Sequence, residues 1–231
     1  MTQDQGLRPQ DFPRSPGVIF DLDGTLADTL NDITASVNHA LAAVGRPPRP
    51  RDVIRPMIGE GVRVLLARAA ERDDPQLIDR MLPVYRAHYH AHALDQTRLY
   101  PGIDEVLNVL VAGGCPLAVL SNKPHDFTVE ICRVLLAPWP FVAIDGHREG
   151  DARKPDPAAA IALAQRMARR HEVFFVGDSG IDVRTALAAG MTPIGVTWGF
   201  RSLDEIQAAG AQLIAHAPSD LPRLILGATI L

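Results

Sequence analysis

The sequence predicts an α/β protein: a doubly wound parallel sheet, interrupted after its first strand by an all-helical insert. Three observations predict it. Short apolar runs such as Gly17-Val18-Ile19-Phe20 stop at acidic, glycine-containing turns, as buried strands of a parallel sheet do. After Pro101 such runs alternate with helical periodicity, the pattern of parallel βαβ crossovers. Between residues 31 and 98 the pattern is helical, with no convincing strand.

In chain order, residues 1–16 are polar, hold three prolines and read as a disordered leader without the apolar segment of a signal peptide. A strand over 17–20 leads to a helix with Thr29 or Asn31 near its start and Gly45 at its end. Residues 63–70 and 77–94 carry apolar side chains three and four apart. Pro47, Pro48 and Pro50 mark one turn, and Asp73-Asp74-Pro75 marks another. A helix over 103–112, a strand over 116–120, a helix over 127–136 and a short strand over 141–144 follow. The rest reads as helix 157–170, strand 173–176, helix 181–189, strand 193–196, helix 203–209, strand 213–215 and helix 220–226. The α/β core is thus expected over 17–30 and 99–231, and the insert over 31–98.

Composition narrows the function. The 231 residues, 47% apolar and 22% charged, suit one medium domain with a small insert. A formal charge of −4 is unlike a basic nucleic-acid binder. No stretch approaches the ~18 continuous apolar residues of a membrane span. Two cysteines, Cys115 and Cys132, make no disulfide framework and read as buried apolar residues in a reducing compartment. The expectation is a soluble cytoplasmic protein, monomer or homodimer, without nucleic-acid or membrane partners.

In doubly wound sheets the reacting groups gather beyond the carboxyl ends of the strands. The first strand ends in Asp21-Leu22-Asp23-Gly24-Thr25, a carboxylate pair that repels itself unless a proton or a cation intervenes. The same spacing opens a calcium loop, but the twelfth position, where a bidentate Glu belongs, holds Asp32. The next strand ends in Ser121-Asn122-Lys123, a hydroxyl with backbone N–H groups near a helix start, suited to an anion. Lys154, held extended by Pro155, precedes a helix and offers a balancing cation. The strand at 173–176 ends in Gly177-Asp178-Ser179-Gly180-Ile181-Asp182, where Asp178 and Asp182 lie one helical turn apart. Each alone also suits a solvated turn or helix cap. Together, on one edge of a parallel sheet, they point to an anion-handling site.

Taken in order, these segments resemble the four motifs of the haloacid dehalogenase-like (HAD) hydrolase superfamily, and the resemblance covers nearly all of the chain after the leader. It implies a Rossmann-like core, with the helical insert similar to that superfamily's C1 cap. Within it, the chain looks most like the phosphoglycolate phosphatase group. That likeness rests on Ile58-Gly59-Glu60-Gly61, Ser121-Asn122-Lys123, Arg153-Lys154-Pro155-Asp156-Pro157 and Gly195-Val196-Thr197-Trp198-Gly199-Phe200. Ile181 departs from the polar residue many relatives carry, and 145–151 is not a close match.

The resemblance implies Mg²⁺-dependent hydrolysis of a small-molecule phosphate ester through an aspartyl-phosphate. Asp21 would be the nucleophile and Asp23 the general acid and base, an acid that carbon-attacking dehalogenase relatives lack. Ser121, Asn122, Thr25 and Lys154 would meet the phosphate. Gly59 and Gly61 would let the cap approach, and Arg63 or Arg55 would meet a substrate carboxylate. Mg²⁺ would sit on Asp21, Asp178 and the backbone carbonyl of Asp23, with Asp182 a direct or an outer ligand. Sugar-phosphate phosphomutases, pyrophosphatases and nucleotidases share this core, and a non-catalytic binding module is the remaining rival. His88 and His92, four apart like a zinc pair, lack the following Glu and a third ligand. With His90 they read as packing or solvated residues, and Trp139 and Trp198 as core or loop anchors.

Overall fold

The computed structural model describes residues 15–167 and 172–227. Residues 1–14, most of the expected leader, lie outside the described residues, as does the end of the helix expected to reach residue 170.

The first strand, β1 (Gly17–Phe20), is buried along its whole length. Its side chains alternate as a pleated strand requires. Val18 and Phe20 enter one apolar cluster, and Ile19 enters a second on the opposite face. After the Asp21–Thr25 turn comes β2 (Ala27–Asp28). A helical unit follows: α1 (Leu30–Ala43), α2 (Arg51–Ile54), a 3-10 turn (Arg55–Met57), α3 (Val62–Ala70) and α4 (Pro75–His92). Asp74 caps α4 by accepting the Gln76 and Leu77 N–H groups, and Pro75 fills the first turn, where no N–H is needed. The chain returns through β3 (Arg98–Leu99), antiparallel to β2.

The remainder alternates: α5 (Ile103–Ala112), β4 (Leu117–Pro124), α6 (His125–Leu135), β5 (Phe141–His147), α7 (Ala158–Arg166), β6 (Val173–Gly177), α8 (Gly180–Ala188), β7 (Thr192–Val196), α9 (Leu203–Ala208), β8 (Leu213–Ala215) and α10 (Leu221–Leu226). The large sheet is parallel, in the order β5-β4-β1-β6-β7-β8. Winding therefore reverses between β1 and β6, the switch point where such sheets bind ligands. One continuous apolar cluster holds Val18 and Phe20 of the sheet together with Leu41, Leu66 and Tyr89 of the helical unit. The helical unit is thus packed onto the sheet through a shared core.

Two features differ from expectation. The β2–β3 ribbon carries no sequence period, because two-residue strands have none. The strand expected to end at residue 120 continues as β4 to Pro124, because β5 runs alongside and pairs with Ser121 and Pro124. Gly146 makes that approach possible: a Cβ there would collide with His125, Thr128 and the Lys123 carbonyl. Cys115 and Cys132 are buried, and no disulfide joins them. No helix among the described residues is long and apolar enough to cross a membrane.

Asp32 has a structural task. From the first turn of α1 its buried carboxylate accepts hydrogen bonds from the Gln96 and Thr97 N–H groups and the Thr97 hydroxyl, at 2.8–3.1 Å. It fastens the end of the helical unit to its beginning. Asp32→Ala strands the two buried Thr97 donors and the half-buried Gln96 N–H, and should cost about 2–4 kcal/mol in denaturant unfolding. A loss under about 0.5 kcal/mol would show these bonds to be dispensable.

Candidate active site

The ends of β1, β4 and β6, with the segment before α7, converge on one cavity of about 60 Å³. It is lined by Asp21, Asp23, Ser121, Lys154, Asp178 and Asp182, and also by Gly59 from the helical unit. Asp21 follows β1 directly, and Asp178 follows β6, its neighbour in the sheet. Asp21, Asp178 and Asp182 each offer an oxygen within 4.8 Å of the others. Lys154 bridges two of them: its ammonium donates to Asp21 Oδ1 (2.9 Å), Asp182 Oδ1 (2.6 Å) and the Leu120 carbonyl (3.0 Å), spending all three protons. The Lys154–Pro155 peptide bond is cis.

One cation among three buried carboxylates leaves a surplus of negative charge. Burial pushes the Asp21 carboxyl up from 3.8 to about 7, Lys154 opposing and Asp182 reinforcing. Asp178 is raised well above its ordinary value by burial, and then by Asp182 and Asp21. Burial alone would lower Lys154, but Asp182 and Asp21 outweigh it and raise it. A carboxyl whose folded pKa is raised stabilises the fold below its unfolded value and loses that contribution as pH rises through the folded one. In EDTA, the Tm of the wild type relative to Asp21→Asn should therefore fall as pH climbs from 3.8 towards about 7. A difference independent of pH would show that Asp21 does not titrate in this way.

Backbone fixes the aspartates. Ser179 caps α8 by accepting the Asp182 N–H, while Asp182 Oδ2 accepts the Ser179 hydroxyl (2.6 Å) and N–H (3.2 Å). Asp178 Oδ2 accepts the Phe200 N–H at 2.6 Å. Gly24 and Gly199 crowd Asp178 so closely that a Cβ on either would overlap its carboxylate, and Gly24 also has φ +89°. Gly199→Ala should cost about 1–3 kcal/mol by overpacking and lower activity with it. Full stability and activity in that variant would contradict the packing described.

Asp23 does not share a cation with Asp21. Both its oxygens accept from Lys123 Nζ, at 2.8 and 3.0 Å, and the same ammonium lies 4.7 Å from the centre of the Tyr89 ring. Lys123 belongs to the Ser121-Asn122-Lys123 segment, whose pattern assigns it no partner. Nothing in a sequence shows that its side chain turns back to a residue a hundred positions earlier. Tyr85, Ser179 and Arg201 also line the cavity and were likewise missed. Arg201 donates to the Pro56 carbonyl and to that of Ile58 (2.5 Å), tying the helical unit to the sheet.

Several expected contacts are absent. Thr25 does not line the cavity; its buried hydroxyl faces Asp178 Oδ1 at 3.4 Å, supporting that carboxylate from behind. Asn122 lines the cavity, but both protons of its amide go to the Gly59 and Lys154 carbonyls and its oxygen accepts the Lys154 N–H. It clamps backbone and has no side-chain donor left for a ligand. Arg63 points outward from α3 to Asp79 (2.7 Å), because the apolar stripe of that helix is Leu65, Leu66, Ala69 and Ala70. Arg55 donates to the Gly199 carbonyl. Ser121 and Gly59 do line the cavity, and Gly59 has φ +120°. Away from the site, His88 stacks between His39 and His92 and meets the Ser36 hydroxyl, while His90 lies beside Glu130. Trp139 and Trp198 bond Asn108 and the Thr25 carbonyl.

A parallel doubly wound sheet carrying buried carboxylates at its switch point is the frame of a known class of hydrolases. The family model described as "Haloacid dehalogenase-like hydrolase" matches residues 18–196, and the chain belongs to that family. The phosphoglycolate phosphatase of Pseudomonas putida is 34% identical over 229 residues, covering 96% of this chain and 82% of the relative. That of Agrobacterium fabrum is 34% identical over 200 residues, covering 84% and 86%. Among solved structures, one of a predicted phosphoglycolate phosphatase from Haemophilus somnus superposes with a TM-score of 0.84 at 28% identity. It covers 92% of this chain and 98% of its own.

Proposed function

We propose that the chain hydrolyses 2-phosphoglycolate through a phospho-aspartate on Asp21, with residues 31–98 acting as a cap over the α/β core. The observation that carries this reading is the division of three carboxylates between two lysines. Lys154 is bonded to Asp21 and Asp182, whereas Asp23 is held apart on Lys123. One carboxylate is thereby presented as a nucleophile, and a second is kept separate from it for proton transfer.

Asp21 attacks phosphorus in line with the leaving oxygen, splitting hydrolysis into two easier steps. Lys154 stabilises the charge gathering on the phosphoryl oxygens, and the Ser121 hydroxyl binds one of them. Asp23 gives a proton to the departing alcohol and later takes one from the water that attacks the phospho-aspartate. Ile58, Leu65 and Phe200 from cap and core exclude bulk water. A cavity this small, against the several hundred Å³ of ordinary ligand pockets, suits a substrate of few atoms better than a nucleotide.

The buried donors fit a small hard dication: all are oxygens, they carry surplus negative charge, and Asp178 forms no salt bridge among the described residues. Asp21, Asp178 and the Asp23 carbonyl would hold Mg²⁺, and Asp182 would stand outside, its oxygens spent on Lys154 and Ser179. Bound there, Mg²⁺ would offset charge that otherwise repels a phosphate by about 4 kcal/mol per unit pair at 4 Å. Two buried cysteines suit a reducing cytoplasm.

The experiment is phosphate release over a panel of phosphate esters, with Mg²⁺ and with EDTA. Mg²⁺-dependent release, greatest for 2-phosphoglycolate, is expected. No release from any ester would reject the reading.

A further inference from the structure

Phosphoglycolate carries a carboxylate as well as a phosphate, and the residues expected to receive it, Arg63 and Arg55, are engaged elsewhere. Among the described residues three cations line the cavity: Lys123, Lys154 and Arg201. Lys154 has spent its three protons, and Arg201 directs both terminal nitrogens to cap carbonyls. Lys123 differs. Its ammonium meets a single carboxylate and the face of an aromatic ring, leaving donor capacity. Tyr85 lines the same cavity and is 5% exposed, and its hydroxyl forms no hydrogen bond among the described residues. The remaining lining includes the apolar Ile33, Ile58, Val62 and Leu65.

We propose that Lys123 and the Tyr85 hydroxyl form the receptor for a carboxylate carried by the leaving alcohol, and that this contact sets the enzyme's choice of ester. The inference rests on the phosphatase reading above and names the part of the substrate that reading left without a partner. Distance argues for a short spacer. Lys123 Nζ lies 2.8 Å from Asp23, and Asp23 must touch the ester oxygen to protonate it. A carboxylate on Lys123 is therefore only a few bonds from that oxygen. In phosphoglycolate a single methylene separates them.

The same contact frees Asp23. While Lys123 occupies both of its oxygens, Asp23 has its best acceptor sites engaged. An ammonium that swings towards a substrate carboxylate releases at least one Asp23 oxygen, which can then take up from water the proton that it passes to the leaving alcohol. Burial keeps the Tyr85 phenol protonated, its pKa pushed far up, so it can only assist as a donor. Lys123 also reaches Tyr89 of the helical unit, so the receptor is complete only while that unit stays packed on the sheet.

The test compares kcat/KM for 2-phosphoglycolate, ethyl phosphate, which lacks the carboxylate, and 3-phosphooxypropanoate, which has one methylene more. The wild type should prefer phosphoglycolate over ethyl phosphate by at least about 30-fold, the value of one buried charge contact. Lys123→Met should collapse that preference to within about threefold, Lys123→Arg should keep part of it, and Tyr85→Phe should lower it about fivefold, one hydrogen bond. If Lys123→Met slows both esters equally and keeps the preference, Lys123 merely positions Asp23 and the inference fails. The Tyr85→Phe ratio decides likewise should Lys123→Met not fold. A wild type that hydrolyses ethyl phosphate as well as phosphoglycolate defeats the inference but leaves the phosphatase reading intact. One that hydrolyses neither ester defeats both. Equal rates with 3-phosphooxypropanoate would refute the short spacer.

Discussion

Asp21→Asn should slow phosphate release by at least about 10⁴-fold, the order of loss when a catalytic nucleophile is removed. The amide keeps the shape of the carboxylate but cannot form the acyl phosphate. The fold should survive, because Lys154 retains Asp182 at 2.6 Å and the Leu120 carbonyl at 3.0 Å. Removing one charge from a crowded group should also raise the Tm at neutral pH in EDTA, since burial and Asp182 already oppose ionisation of Asp21. Far-ultraviolet circular dichroism and a Tm at or above the wild type's would separate lost chemistry from lost structure. Substantial metal-dependent turnover by the variant would remove Asp21 from its role.

Lys154→Met should be the most damaging change at the site for stability and activity together. Methionine has nearly the length of lysine but leaves Asp21, Asp178 and Asp182 buried without a cation. Breaking a buried pair by removing one partner costs about 3–5 kcal/mol, because the surviving charges remain desolvated. Loss of a preorganised cation facing the transferring phosphoryl group should lower kcat/KM by about 10³-fold. Added Mg²⁺ should recover part of the stability and little of the rate. Unfolding free energy and kcat/KM both close to wild-type values would mean that Lys154 is no more than a packed lysine.

The alternation of strands and helices was legible because buried parallel strands are short apolar runs bounded by turns. Asp21, Asp178 and Lys154 were legible because they stand where strands or connections meet the switch edge. Other parts were not. Whether Thr25 faces the cavity or the back of Asp178 depends on how the chain turns after Gly24, which no period records. Asn122 looked like a phosphate ligand because its type and place allow it; the carbonyls that claim it come from residues 59 and 154. Lys123 was invisible as the partner of Asp23 because a long side chain can turn to either side of a strand end. Arg63 is a different case, since its exposure follows from the apolar stripe of α3, which the sequence already displays.

The covalent intermediate offers the most direct measurement. Asp23→Asn should still accept the phosphoryl group from an activated ester but release it slowly, because the water-activating base is gone. Acid quench after mixing this variant with Mg²⁺ and p-nitrophenyl phosphate, followed by peptide mass spectrometry, should find one phosphoryl group, on Asp21. A phosphoryl group on any other residue, or none in an enzyme whose wild type turns over under the same conditions, would contradict the account.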